Sequence, residues 1–159
     1  MKKYLFVAVL AIASLAAYAQ PRAIGANLGY GVGVSYQHGF GDANMLDVAV
    51  NIPFFNGIGG IVTYDWIDPF GATVPWNEKG EWHWYMGVGG AGGIYGFKDI
   101  AWYAGAAGHF GIEYDFWFPM QLSLDWRPNI GVVGASGVGV GYNTTGLYDG
   151  ITIGIRYKF

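Results

Sequence analysis

Ile151-Thr152-Ile153-Gly154-Ile155-Arg156-Tyr157-Lys158-Phe159 ends the chain with a large apolar residue at every odd position and a small, polar or basic one at every even position. A period of two is the pattern of a β-strand with two unlike faces. Three other segments carry the same ending, a Tyr two residues before a second ring: Ser35-Tyr36-Gln37-His38, Thr63-Tyr64-Asp65-Trp66 and Glu113-Tyr114-Asp115-Phe116. Each follows a β-like stretch, and each of these three precedes a turn region and a further alternating stretch. The repeat predicts four strands that run the same way and finish at one level, their rings forming a girdle at a membrane interface. Four such strands need four antiparallel partners. An all-β fold is therefore expected: an eight-stranded, up-and-down transmembrane barrel with both termini on the periplasmic side.

The partner strands are legible in the same way. Met120-Gln121-Leu122-Ser123-Leu124-Asp125-Trp126-Arg127 alternates apolar and polar, as does Leu46 to Ile52. Further strands are predicted near Ile61 to Trp66, from Trp82 to Tyr95 and from Ala101 to Phe116. Ile24 to His38 has to hold a hairpin turning near Gly29-Tyr30-Gly31, with about eight residues per strand against the usual 9–11. Read as one strand, the segment gives an odd total, which bacterial single-chain barrels avoid. Asp115 to Pro119 is a tight periplasmic turn. Asn129 to Asp149, Gly-rich and nearly uncharged, is expected as an extracellular loop. Pro69 to Gly80 is a longer periplasmic turn than this scheme requires.

The other end of the chain is consistent with export. Lys2 and Lys3 precede an apolar run, and Ala17-Tyr18-Ala19 forms a small-x-small cleavage site with Gln20 as the new N-terminus. Residues 1–19 are thus expected to be a cleaved secretory signal rather than a membrane helix, and 20–159 to be one outer-membrane domain. There is no Cys, which excludes a lipoprotein signal, a disulfide framework and a thiolate metal site. The formal net charge is −3 before the two lysines of the signal are removed. An acidic chain is a poor nucleic-acid binder, since such binding draws on cationic contacts to phosphate. Charged residues make up 12% against about 25% in soluble domains, and Gly numbers 28. No later run of about 18 apolar residues offers a spanning helix. A closed barrel is the other structure that pairs every backbone group within lipid.

The facing follows from the charges. A soluble exported barrel would turn its apolar face inward. Here the polar face carries Asp47, Asp65, Glu113, Asp115, Asp125, Arg127, Arg156 and Lys158. An Arg turned to lipid near the midplane costs about 2–4 kcal/mol, so these groups are assigned to the lumen and Ile151, Ile153 and Ile155 to lipid.

Four blocks carry a resemblance: Ala23-Ile24-Gly25 through Gly29-Tyr30-Gly31 to Val34-Ser35-Tyr36-Gln37-His38; Trp84-Tyr85-Met86-Gly87-Val88-Gly89; Gly111 to Phe116 with Gln121 to Pro128; and Gly154 to Phe159. Together they resemble the small outer-membrane β-barrel proteins common in Bacteroidetes-type bacteria, which share the architecture of OmpX/OmpA-like eight-stranded barrels. The resemblance covers nearly all of the exported chain and is specific for fold rather than activity. It implies recognition of the last strand, through Tyr157 and Phe159, by the barrel-assembly machinery, with periplasmic chaperones acting beforehand.

Candidate chemistry is sparse. Glu113 and Arg156 hold equivalent places, each one before its Tyr, as do Asp115 and Lys158. With Asp125 and Arg127 they are expected to form a polar network that fills and satisfies the lumen. His38, His83 and His109 lack metal-site spacing, although His83 and His109 can share a lumen wall with Ser123 and Asp125. No nucleophile elbow occurs. Gly87 to Gly92 matches G-x-G-x-x-G without the helix that motif needs, and the sequon at Asn143 has no meaning in bacterial export. Gly87, Gly89, Ala91, Gly93, Gly105 and Ala107 place small residues in the outer lumen, either as taper or as a cavity for an apolar ligand. The expected protein is a monomeric structural or surface-interaction barrel in outer-membrane lipid, without cofactor or catalysis. A small channel or apolar-ligand carrier is the alternative, and a lipid-modifying enzyme a third.

Overall fold

The computed structural model describes residues 20–29, 31–53, 57–68, 79–96, 101–135, 139–147 and 150–159. The predicted signal, with Ala17 and Ala19, and most of the 69–80 turn lie outside the described residues. Gln20 is the first residue of the first strand.

Among the described residues ten strands follow one another: β1 (Gln20–Leu28), β2 (Val32–Gly39), β3 (Asn44–Ile52), β4 (Gly57–Ile67), β5 (Glu81–Tyr95), β6 (Ala101–Asp115), β7 (Met120–Trp126), β8 (Asn129–Ala135), β9 (Gly139–Asn143) and β10 (Ile151–Lys158). β1 to β7 pair antiparallel in sequence, β7 pairs with β10, and β10 pairs with β1. The sheet is thereby closed, an arrangement that leaves no edge around the ring. At the seam Phe159 N donates to Arg22 O at 3.2 Å. Among the described residues no helix is long and apolar enough to cross a membrane.

The ten strands form eight staves. On β6, Phe110 faces Trp126 of β7 and Ala107 faces Asn129 of β8. Three steps on β6 match three on the facing chain, so β7 and β8 are one stave in one register, interrupted at Arg127-Pro128. Pro128 has no N–H to give to the ladder, but its carbonyl still accepts from Gly108 N at 2.8 Å.

The expectation that Asn129 to Asp149 is a loop is therefore corrected. β6 is 15 residues long and runs well past the seven-residue β7. Its upper edge needs a partner, which the β-branched run around Ile130, Val132 and Val133 supplies. The chain then turns back as β9 before reaching β10. Between the pairs Gly131–Asn143 and Trp126–Ile151, five steps on one stave meet eight on the other. The three extra residues bulge as a 3-10 turn at Thr145–Leu147. Arg127 N to Gly150 O at 2.8 Å and Trp126 Nε1 to Leu147 O at 3.1 Å tie it down.

The four Tyr-x-ring endings lie at the ends of β2, β4, β6 and β10, at one end of the barrel. In each the two rings touch: Tyr36–His38, Tyr64–Trp66, Tyr114–Phe116 and Tyr157–Phe159. Polarity is inverted relative to a soluble domain. Ile151, Ile153, Ile155, Leu122, Leu124 and Val62 are exposed on the outer face, whereas Arg156, Glu113, Asp65 and Gln121 are wholly buried.

Several lumen glycines are sockets for a large side chain from the next stave. Gly111 faces Tyr85, and a Cβ there would strike the Tyr85 ring. Tyr103 lies across Gly93 and Gly59, with a Gly59 Cβ 2.6 Å from its hydroxyl. Overpacking of this kind costs about 1–3 kcal/mol. Gly111→Ala is expected to lose that much in urea titration of the refolded barrel, while Gly141→Ala, with nothing within 4 Å of its Cβ, should match the parent. Equal loss in the two would remove the socket account.

Candidate functional site

The lumen holds a polar plug below a cavity. At the Tyr-x-ring end Lys158 pairs with Asp115, which also accepts from Gln121 Nε2 at 3.0 Å. Beside it Arg22 pairs with Glu113 and donates to Gln37 Oε1 at 3.0 Å.

The middle layer centres on Arg156. Its Nε donates to Ser35 Oγ at 2.9 Å, Nη1 to Ser123 Oγ at 2.6 Å and Gln121 Oε1 at 3.2 Å, and Nη2 to Asp125 at 3.1 Å. One side chain on β10 thus ties β2 to β7 through the lumen. Asp125 also accepts from Ser123 at 2.9 Å and from Tyr85. Across the barrel Arg127 lies 3.1 Å from Asp47 and 3.8 Å from Asp125. His109 spans two carboxylates, with Nδ1 2.9 Å from Asp65 and Nε2 3.3 Å from Asp125.

The six charged residues singled out in the sequence all point into the lumen, but not all pair by repeat position. Asp115 and Lys158 are partners. Glu113 and Arg156 are not: Glu113 takes Arg22, and Arg156 takes Asp125. The reason is shear. Arg156 lies opposite Gln121 on β7, and its long side chain reaches up to Asp125 instead of sideways to Glu113.

Arg22 was not legible from alternation. Its neighbours Ile24 and Leu28 face outward, and the same parity would turn Arg22 outward too. A register shift between Pro21 and Ala23 reverses it, as a β-bulge re-aims one side chain. Pro21 is the only sequence signal for that bulge.

The histidines separate. His109 joins Asp125 and lies in the same layer as Ser123. His83 pairs with Asp68 outside that layer. Ser123 is held by Arg156 and Asp125, and both His109 nitrogens face carboxylates, so no imidazole nitrogen is directed at the Ser123 hydroxyl. Among the described residues no group of three or more His, Cys, Asp or Glu is arranged to hold a metal.

Above the plug, at the end away from the Tyr-x-ring pairs, lies a cavity of about 400 Å³. Gly59, Gly60, Ile61 and Ala91 contribute to its wall, but so do Asn51, Tyr95, Tyr103, Arg127, Asn129, Asn143 and Thr152. The expected apolar, glycine-lined space is therefore mixed in character. Of the six small residues expected there, Ala91 lines the cavity among the described residues; Gly87, Gly89, Gly93, Gly105 and Ala107 are packed against neighbouring staves instead. β4 brings Gly59 and Gly60 to the wall, and other staves supply carboxamides, hydroxyls and a guanidinium.

Compared with known protein families, curated proteins and solved structures, the chain gives no match. Its functional reading rests on the geometry above.

Proposed function

We propose that the chain is an integral outer-membrane barrel with a structural or surface-interaction role, its lumen closed to solutes by the polar plug. The observation that carries this is the inverted polarity. A continuous apolar outer face surrounds wholly buried charged groups, the arrangement a barrel needs in lipid and cannot tolerate in water. The Tyr-x-ring end is the periplasmic one, with its rings at the interface. The other end, with β9 and its exposed Val140 and Tyr142, faces the exterior. Tyr157 and Phe159 present the last strand to the assembly machinery, and the barrel functions as a monomer.

Eight-stranded barrels are filled by side chains, and this lumen is crossed by Arg156, Tyr85, Arg127 and His109. The refolded protein in planar bilayers is therefore expected to give no stable unitary conductance. Reproducible steps would replace the closed plug by a channel. Density-gradient fractionation of cells should place the chain with outer-membrane markers, and recovery in the soluble periplasmic fraction would overturn the membrane reading.

A further inference from the structure

We infer that the 400 Å³ cavity is a binding site for a small uncharged polyol, of the chemistry of one or two sugar rings. The volume lies within the about 300–1,000 Å³ of small-molecule sites. The inference goes beyond the membrane reading and does not depend on it, since the cavity is a property of the barrel interior.

Three features set the ligand class. The first is unmet hydrogen bonding. Arg127, 4% exposed, has Nε and Nη2 without a hydrogen-bond partner, and so does the Thr152 hydroxyl. Both residues line the cavity. Buried polar groups in folded proteins are nearly always satisfied, so two side chains of this wall hold enclosed donor capacity that a small rotation would turn toward an acceptor in the cavity.

The second is charge. The Arg127 guanidinium already has Asp47 at 3.1 Å and Asp125 at 3.8 Å. An anionic ligand would add a further negative charge beside two carboxylates, whereas a hydroxyl or carbonyl oxygen would accept from Arg127 without that penalty. Among the described lining residues Arg127 is the only charged one.

The third is the rest of the wall. Asn51 and Asn129 carboxamides both donate and accept, which suits hydroxyl groups. Tyr95 and Tyr103, stacked at 5.1 Å and 25°, supply an aromatic surface for the C–H face of a ring. A fatty acid would leave the carboxamides unpaired, and buried unpaired polar groups are costly.

The test is calorimetric titration of the full chain, refolded in an amine-oxide detergent that carries no sugar headgroup. Maltose is the neutral probe, glucuronate the anionic sugar and laurate the acyl-chain one. Saturable binding of maltose, at least tenfold tighter than glucuronate, is expected. Thr152→Val keeps the shape of the side chain and removes its hydroxyl. It should weaken maltose at least tenfold while leaving heat-modifiable migration unchanged, and Asn129→Leu should do the same. Laurate or glucuronate bound in preference to maltose, maltose binding insensitive to both substitutions, or no binding by any probe would overturn the proposal. A free saccharide and the terminal sugar of a membrane glycolipid share this chemistry. Displacement of maltose by purified outer-membrane glycolipid would assign the site to the lipid-borne form, and failure to displace it to the free sugar.

Discussion

Arg156→Ala is expected to lower the stability of the barrel by about 3–5 kcal/mol, the cost of breaking a buried ion pair from one side. The guanidinium is wholly buried and serves Ser35, Gln121, Ser123 and Asp125 at once, with Asp47 at 4.0 Å. Its removal leaves Asp125 and Asp47 in the lumen with less positive charge around them, and it unfastens β2 from β7. Most of the loss comes from those stranded carboxylates rather than from the intrinsic value of the pair, because a satisfied buried pair contributes little by itself. Lys158→Ala is the control. Its side chain is 31% exposed and lies at the barrel end, where water can take over the solvation of Asp115, so a loss below about 1 kcal/mol is expected. Urea titration of the two refolded variants, followed by tryptophan fluorescence in detergent or vesicles, measures both. Equal midpoints would dissolve the proposed central role of Arg156.

The second large effect is on the outer surface. Ile153 is 53% exposed and sits between Leu28 of β1 and Leu124 of β7, within a band of apolar side chains. In lipid, Ile153→Arg places a cation in that band at a cost of about 2–4 kcal/mol near the midplane, falling toward the interface. The variant is expected to refold poorly into vesicles and to show a reduced heat-modifiable fraction. Thr152→Ser, one residue away on the lumen face, should insert as the parent does. In a soluble barrel the sign changes, because Ile153→Arg would improve solubility at no structural cost. Normal insertion of Ile153→Arg would thus refute the lipid facing directly.

Much of the architecture was legible because it is periodic. The Tyr-x-ring ending occurs at four strand ends, and the alternation in β7 and β10 fixes which residues face the lumen. What was not legible depended on events that break the period. Pro128 looks like the end of a strand, yet the register passes through it unchanged, because only one ladder donor is lost and β6 continues alongside. Arg22 reads as outward until the bulge after Pro21 is known. The pairing of Arg156 with Asp125 follows from strand shear and side-chain length, neither of which the repeat encodes. The cavity was legible at its position in the outer half and hardly at all in its lining. Of the small residues expected to mark the space Ala91 lines it, while Gly59 and Gly60 of β4 were missed, and its chemical character comes from Asn51, Arg127, Asn129 and Thr152 on staves distant in sequence.

The closing seam has a consequence for timing. Ala23 is paired with Lys158, so the contact that completes the ring joins nearly opposite ends of the chain. Until the last strand is available β1 remains half paired, and the growing sheet presents a bare edge to any neighbour. Contacts of such long separation form slowly. Synthesis from the N-terminus cannot close this barrel piece by piece, because the eight-residue β10 acts as a latch and the strands made before it stay unlocked until it arrives.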